Sequence, residues 1–380
     1  MTAVTALSID MSLPAQPTLA AVFDVSSETA QLTLSVFLVA FAIAQLFTGA
    51  LSDRLGRKRV LVSGLVLFAI SGIACSIAPS IEVLLACRAL QGFGAAAGPV
   101  VARAMVRDTQ PAGHAARLLS TMLAALAIAP MIAPIIGGTL LDVFNWRAIF
   151  VALAVCGVLL ILTSTLLEET HTIERRTSAG IIRGFREFFA TPGTVLPMLV
   201  SCASFSGQFA FIGDSPFVLI EGYRVSPSHY AFYFAGCAFA LMLGSLGGRA
   251  MLRAGRPPRS LVRAGVCMLL VGGWLVLAGT HSPLGLAGFY TPMLVYFFGV
   301  GLTSPSATAL SMEPVPHLAG TASAAIGSIQ MVCGAVAGYA TTRIGGSNPR
   351  VFAAVVVVMG TLACMLGFAA SRPLRQRILG

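Results

Sequence analysis

The sequence predicts an all-α membrane protein of twelve transmembrane helices in two pseudo-symmetric six-helix halves. Three observations carry this. Of 380 residues, 57% are hydrophobic and only 10% charged, with a mean hydropathy of +0.88. Apolar runs recur along the whole chain. The longest polar stretch lies near the middle and divides the runs six and six. Soluble domains carry about 25% charged residues, and this composition cannot supply their polar shell. Disorder needs low hydrophobicity, so it is excluded too. Backbone groups in hydrocarbon have to be satisfied within their own segment, so the spans are helices.

One span needs about 20 apolar residues. The runs fall at 3–23, 30–51, 59–78, 82–106, 118–140, 146–167, 194–220, 229–252, 261–280, 285–311, 319–342 and 350–371. This gives a first half over 1–167, a central loop over 168–193, a second half over 194–371 and a tail over 372–380. The first run is short. Its 13 residues before Pro14 make about 20 Å of helix, against a hydrocarbon core of about 30 Å. Either the natural start lies upstream or this copy has a degraded first helix. In the central loop, Ile182, Phe185, Phe188 and Phe189 share one helical face and Arg183 and Arg186 another. That spacing fits an amphipathic helix at the membrane surface, with an ordinary linker as the alternative.

The net charge of +10 would suggest nucleic acid in a soluble chain. Here the basic residues, all arginine except Lys58, sit mostly between apolar runs, so no nucleic-acid partner is expected. Nineteen of them fall on the side of the loops after spans 2, 4, 6 and 8 and the tail, four fall on the other side, and Arg88 lies within a span. The bias places both termini in the cytoplasm. The eight cysteines each lie in an apolar stretch without metal-ligand spacing, which reads as buried thiols. No metal and no cofactor are expected. No Walker loop and no nucleophile–base pair points to an ATP-driven pump or an enzyme.

The most constrained segment is Gly49-Ala-Leu-Ser-Asp-Arg-Leu-Gly-Arg-Lys-Arg59. Glycines permit a tight turn and close helix approach. Asp53, at the end of span 2, opposes the helix dipole, so it needs a cationic or helix-N-terminal partner across the interface, a contact that could break and form between states. The stretch Gly247–Val262 after span 8 echoes this loop without the Asp. Two such halves match the parallel-repeat plan of secondary transporters.

The loop resembles the signature of the major facilitator superfamily, through Gly49, Asp53, Arg54, Gly56 and Arg57. Arg88-Ala-Leu-Gln91-Gly-Phe-Gly94 is similar to a second superfamily motif. Ala129-Pro130-Met-Ile-Ala133-Pro134-Ile-Ile-Gly137-Gly138 resembles the antiporter motif, with alanine for its two leading glycines. Ile9-Asp-Met-Ser-Leu-Pro14, Gln31-Leu-Thr33, Trp146-Arg147, Ser215-Pro-Phe-Val218 and Glu313-Pro-Val-Pro-His317 resemble the bicyclomycin-resistance (Bcr/CflA) drug–proton antiporters. Ser12 stands where that branch usually has Tyr, and Asp214 where it usually has a small residue.

The resemblance implies a secondary efflux transporter, exporting small amphipathic drugs across the bacterial inner membrane in exchange for protons. It would work by alternating access, as a monomer in the bilayer. A proton-coupled exporter or importer of a metabolite, or a non-transporting relative, remains the alternative. Asp10 is the first proton-site candidate, since a carboxyl at mid-helix costs about 2.5–3.5 kcal/mol. Arg88, always charged, is its expected partner, since the resemblance places spans 1 and 4 on one cavity. Asp214, two residues before Pro216, is either a second site or the cap of a broken helix. Gln31, Gln91, Gln208 and Gln330 either line a substrate cavity or join helices. Phe209, with Phe205, Phe211, Tyr230 and Tyr233, forms an aromatic wall or packs. His317 either titrates or caps the end of span 10.

Overall fold

The computed structural model describes residues 1–110, 112–170 and 181–370, and these are helical nearly throughout. Arg175, Arg176 and the tail lie outside them. Eleven helices among the described residues are long and apolar enough to cross a membrane. The predicted first span is a twelfth, but it is broken into α1 (Val4–Asp10), a 3₁₀ turn (Leu13–Ala15) and α2 (Gln16–Phe23). Pro14 and Pro17 explain the break, because proline has no N–H to donate and clashes with the preceding turn. The Ser12 hydroxyl donates to the carbonyls of Ile9 at 2.9 Å and Ser8 at 3.2 Å, so it serves oxygens that the break leaves exposed.

The chain divides into two compact units, Met1–Gly180 with Ser226–Phe232, and Ile181–Val225 with Tyr233–Gly380. The first unit continues with α3 (Ser27–Leu55), α4 (Arg57–Ser76), α5 (Ile81–Ala95), α6 (Ala97–Thr109), α7 (Ala112–Val143) and α8 (Trp146–Thr165). Together α5 and α6 make one span. The Asn145 side chain caps α8, accepting from the Arg147 N–H at 2.9 Å. Phe37, Phe68, Trp146 and Phe150 are fully buried in this unit's core.

The second unit holds α9 (Ile181–Ala190), α10 (Val195–Pro216), a π-helical turn (Phe217–Gly222), α11 (Pro227–Arg253) from Tyr233 onward, α12 (Pro258–Gly279), α13 (Gly285–Met312), α14 (Ala319–Gly345) and α15 (Pro349–Ala370). The π turn follows Pro216, and Phe217, Val218 and Leu219 are all buried in it. Glycines bring the backbones of this unit into contact. A Cβ on Gly265 of α12 would stand 3.0 Å from the Gly299 carbonyl oxygen of α13, and one on Gly299 would stand 3.0 Å from the Gly265 oxygen. Gly360 of α15 faces the Leu269 carbonyl of α12 at 2.7 Å in the same way.

The amphipathic helix exists, and its apolar face is divided: Phe188 is buried within the unit, while Phe189 is exposed. Phe188 is buried against Met198, Cys202, Val315, Ala322 and Ile326, so α9 docks on α10 and α14. A ring of that size gains more from a close-packed pocket than from an interfacial position.

Candidate functional site

The centre of the first unit is a buried polar network around Arg88. Its side chain is fully buried and places all its bonds on neutral acceptors. Nε donates to the Thr33 carbonyl at 3.1 Å, Nη1 to Gln91 Oε1 at 2.7 Å, and Nη2 to the Ser8 carbonyl at 3.3 Å. The guanidinium also stacks 4.3 Å over the Phe37 ring, a contact favoured by the ring quadrupole. The expected Arg88–Asp10 pair is therefore corrected, as no ion pair joins these residues. The reason lies in the broken helix. The Ser12 N–H bonds back to Ile9 at 3.3 Å instead of Ser8. The Ser8 carbonyl is thus open to the guanidinium, which needs acceptors and not specifically a charge.

Asp10 lies at the end of α1, 4% exposed, and its carboxyl joins no ion pair among the described residues. Around the network, Thr5 Oγ1, Ser8 Oγ, Gln16 Oε1, Gln31 Nε2 and Gln91 Nε2 are buried without a partner among the described residues. Native interiors leave few such groups; the second unit holds as many, on Ser204, both oxygens of Asp214, Tyr296 and Thr303. Gln16 Nε2 donates to Thr33 Oγ1 at 2.9 Å, and Ser35 Oγ donates to Gln31 Oε1 at 3.0 Å. Sequence reasoning missed Ser8 and Gln16, and named Thr33 only within the Gln31-Leu-Thr33 stretch that carries the resemblance.

The antiporter motif lies on α7 and touches this break directly. Pro134, Gly137 and Gly138 are buried and Pro130 half-buried, with both prolines inside the helix. A Cβ on Gly137 would stand 2.9 Å from the carbonyl carbon and Cα of Met11, and closer still to its oxygen. The motif thus sets the backbone beside Asp10.

The loop between α3 and α4 forms a charged cluster. Gly56 takes φ 103 and ψ 146, a conformation open essentially to glycine. Arg57 pairs with Asp53 of its own loop, with Asp108 of α6 at 2.9 Å, and donates to Ser52 Oγ at 2.6 Å. Glu169 accepts from the N–H groups of Arg57 at 2.8 Å and Lys58 at 3.2 Å, placing a carboxylate on the positive end of α4. The partner found for Asp53 is therefore Arg57, four residues on, and not a group across an interface. Arg54 is exposed at the end of α3. Gly49 has only the Val100 Cγ1 atom near the site of its missing Cβ, at 3.9 Å, so its small size is not needed there.

In the second unit, Asp214 is fully exposure-free, and neither carboxyl oxygen has a hydrogen-bond partner among the described residues. It lies just before Pro216 and the π turn, so it caps nothing. Gln330 is joined to Ser201 at 2.5 Å, and Ser201 in turn meets Ser304 and Thr308, both at 3.2 Å. Phe205 and Phe209 stack with centroids 4.4 Å apart. Phe211 packs edge-on against Phe297 at 5.1 Å, which is core packing. Gln208 is half-buried. His317 meets Glu187 of α9 at 2.7 Å, so it ties α9 down. All eight cysteines are free.

The family model described as Major Facilitator Superfamily matches residues 1–338. The chain belongs to that superfamily. It is 30% identical to the bicyclomycin resistance protein homolog of Haemophilus influenzae, over 97% of this chain and 94% of that protein. It is 33% identical to the uncharacterized MFS-type transporter YdgK of Bacillus subtilis, over 87% and 83%, and 26% identical to multidrug resistance protein D of Escherichia coli, over 92% and 88%. Among solved structures, a bacterial homolog of the human lysosomal transporter Spinster shares the fold with a TM-score of 0.79 at 18% identity, covering 98% of this chain and 95% of that one. The Escherichia coli xylose transporter XylE follows with a TM-score of 0.75 at 14% identity, over 97% and 94%. The superfamily and the bicyclomycin-type likeness read from the motifs are borne out. The chain is a multi-pass membrane transporter, not an enzyme.

Proposed function

We propose that this transporter exports small amphipathic drugs from a bacterial cytoplasm in exchange for protons. It sits in the inner membrane with both termini cytoplasmic, and the monomer suffices. The drug class is suggested by the printed names of the relatives. The proton is suggested above all by the pair of buried carboxyls, Asp10 and Asp214, each in the first spanning segment of its unit and each without an ion-pair partner among the described residues. An ionised carboxyl in that position is costly, and a bound proton removes the cost. Arg88 holds the broken first helix through Ser8 rather than neutralising Asp10. The Arg57 cluster latches the loop and is the element that has to rearrange during the cycle. Gln31, Gln91, Gln208, Phe209 and Gln330 remain the cavity candidates. One charge moved across 100 mV supplies about 2.3 kcal/mol.

The test is proton release from purified protein in proteoliposomes on addition of a lipophilic cation such as tetraphenylphosphonium. Wild type should release protons, and Asp10→Asn should not. Normal release by both Asp10→Asn and Asp214→Asn would sink the assignment. Absence of release from wild type, with active transport of the cation, would overturn antiport. The arginine bias behind the orientation is checked by cysteine labelling at residues 54–59, which should be accessible from the cytoplasm only.

A further inference from the structure

Six of the eight cysteines lie within hydrogen-bond reach of another cysteine, in three pairs that each join two helices. Cys75 of α4 meets Cys87 of α5, Cys267 of α12 meets Cys364 of α15, and Cys202 of α10 meets Cys333 of α14. The surroundings set the last pair apart. Met198 stands one turn before Cys202 on the same face of α10 and is buried in the same cluster, against which Cys333 packs. Three sulfur-bearing side chains thus gather where α10 and α14 touch. Met198 and Cys202 are buried and Cys333 is half-buried, so the group is accessible at the Cys333 edge. The two helices are fixed on either side of it. Gln330 donates to Ser201 Oγ at 2.5 Å, and a Cβ on Gly334 would stand 2.9 Å from Phe209 Cγ. Of the other pairs, Cys75 lies in the field of the Arg88 guanidinium, which repels a cation, and Cys267 and Cys364 are both only half-buried.

We infer that Cys202, Cys333 and Met198 form a binding site for a soft monovalent metal ion, copper(I). Thiolate and thioether sulfur select such an ion over hard cations. Charge favours the monovalent state as well. The cluster around the sulfurs is apolar, and a net charge left there would be costly. Copper(I) displaces the proton of one thiol to solvent and forms three bonds, to that thiolate, to the remaining thiol and to the thioether. No electron is transferred, and the bound group is neutral. Zinc, by contrast, wants four donors, and no group of three or more His, Cys, Asp and Glu side chains is gathered among the described residues. Two of the ligands belong to α10 and one to α14, so the bound ion ties these helices together. The site goes beyond the efflux reading and does not rest on it.

The experiment titrates the purified full chain, reduced and anaerobic in detergent, with copper(I) in competition with the chelator bicinchoninate, and reads the ligands of the bound ion by X-ray absorption. No transport is measured, so failure here is separable from failure of the efflux reading. Wild type should take one ion per chain from the chelator, with sulfur alone in its first shell. Cys202→Ser and Cys333→Ser should each weaken binding at least about a hundredfold, because loss of even an outer-shell partner costs about 10–100-fold. Met198→Leu, which keeps the volume, should weaken it about tenfold. Cys87→Ser and Cys267→Ser should leave the affinity unchanged, and excess zinc should not displace the ion. Wild-type affinity in the Cys202→Ser/Cys333→Ser double variant, nitrogen or oxygen in the first shell, displacement by zinc, or an equal loss in Cys267→Ser would overturn the assignment. Where the serine variants fail to fold, Met198→Leu binding at wild-type strength overturns it just the same.

Discussion

Replacing Gly137 by alanine probes the link between the antiporter-like motif and the proposed proton site at Asp10. The new methyl would stand 2.9 Å from the Met11 carbonyl carbon and Cα. Carbon atoms rest about 3.5–4.0 Å apart, so α7 has to retreat from the broken first helix by at least about 0.6 Å. The atoms in the way are backbone and have no rotamer to change. Overpacking of this kind costs about 1–3 kcal/mol, which lowers a thermal midpoint by about 2–6 °C. Function should suffer more than stability. The displaced peptide adjoins Asp10 and lies three residues beyond Ser8, whose carbonyl holds Arg88. A coupling step that loses 1.4 kcal/mol slows about tenfold. The assay is drug-driven proton release in proteoliposomes beside a thermal melt, with Gly49→Ala as control because its methyl would meet only Val100 Cγ1 at 3.9 Å. Wild-type melting and release in Gly137→Ala would refute the reasoning, as would equal loss in Gly49→Ala.

Arg88→Lys keeps the charge but has one ammonium for acceptors on three different segments, so two bonds should be lost, at about 3 kcal/mol or more in total; a melt and a drug-susceptibility test on cells expressing the variant should both register it. Gly56→Ala forces a side chain into φ 103, a strain of about 1–3 kcal/mol, and should reduce transport with normal membrane insertion, read from expression level against efflux. Phe188→Ala should cost about 3–5 kcal/mol, and limited proteolysis should then cut near α9 faster than in wild type.

Hydropathy placed the spans well because the signal for them is local. Apolar runs predicted at 229–252 and 285–311 became Pro227–Arg253 and Gly285–Met312. The break in the first span was visible too, since Pro14 announces itself. What was hidden was who meets whom. A buried arginine next to a buried aspartate in a shared unit invites pairing, but the break had already opened the Ser8 carbonyl. No residue pattern records a carbonyl left free by a bent backbone. Asp53 found Arg57 within its own loop, yet Asp108 and Glu169, which complete that cluster, are 51 and 112 residues away from Arg57. The periodicity of Phe185, Phe188 and Phe189 was legible as a face, though not the surface on which that face would rest.

The glycine contacts of the second unit have a mechanical consequence. Where Gly265 and Gly299 lay their peptide backbones against each other, and Gly360 seats on Leu269, α12, α13 and α15 are keyed like splined shafts. Sliding one helix along another by even a fraction of a turn would drive a Cβ-bearing neighbour into a slot sized for hydrogen. These helices therefore have no slip planes between them. Any stroke of the transport cycle that this unit makes has to carry all three as a single casting.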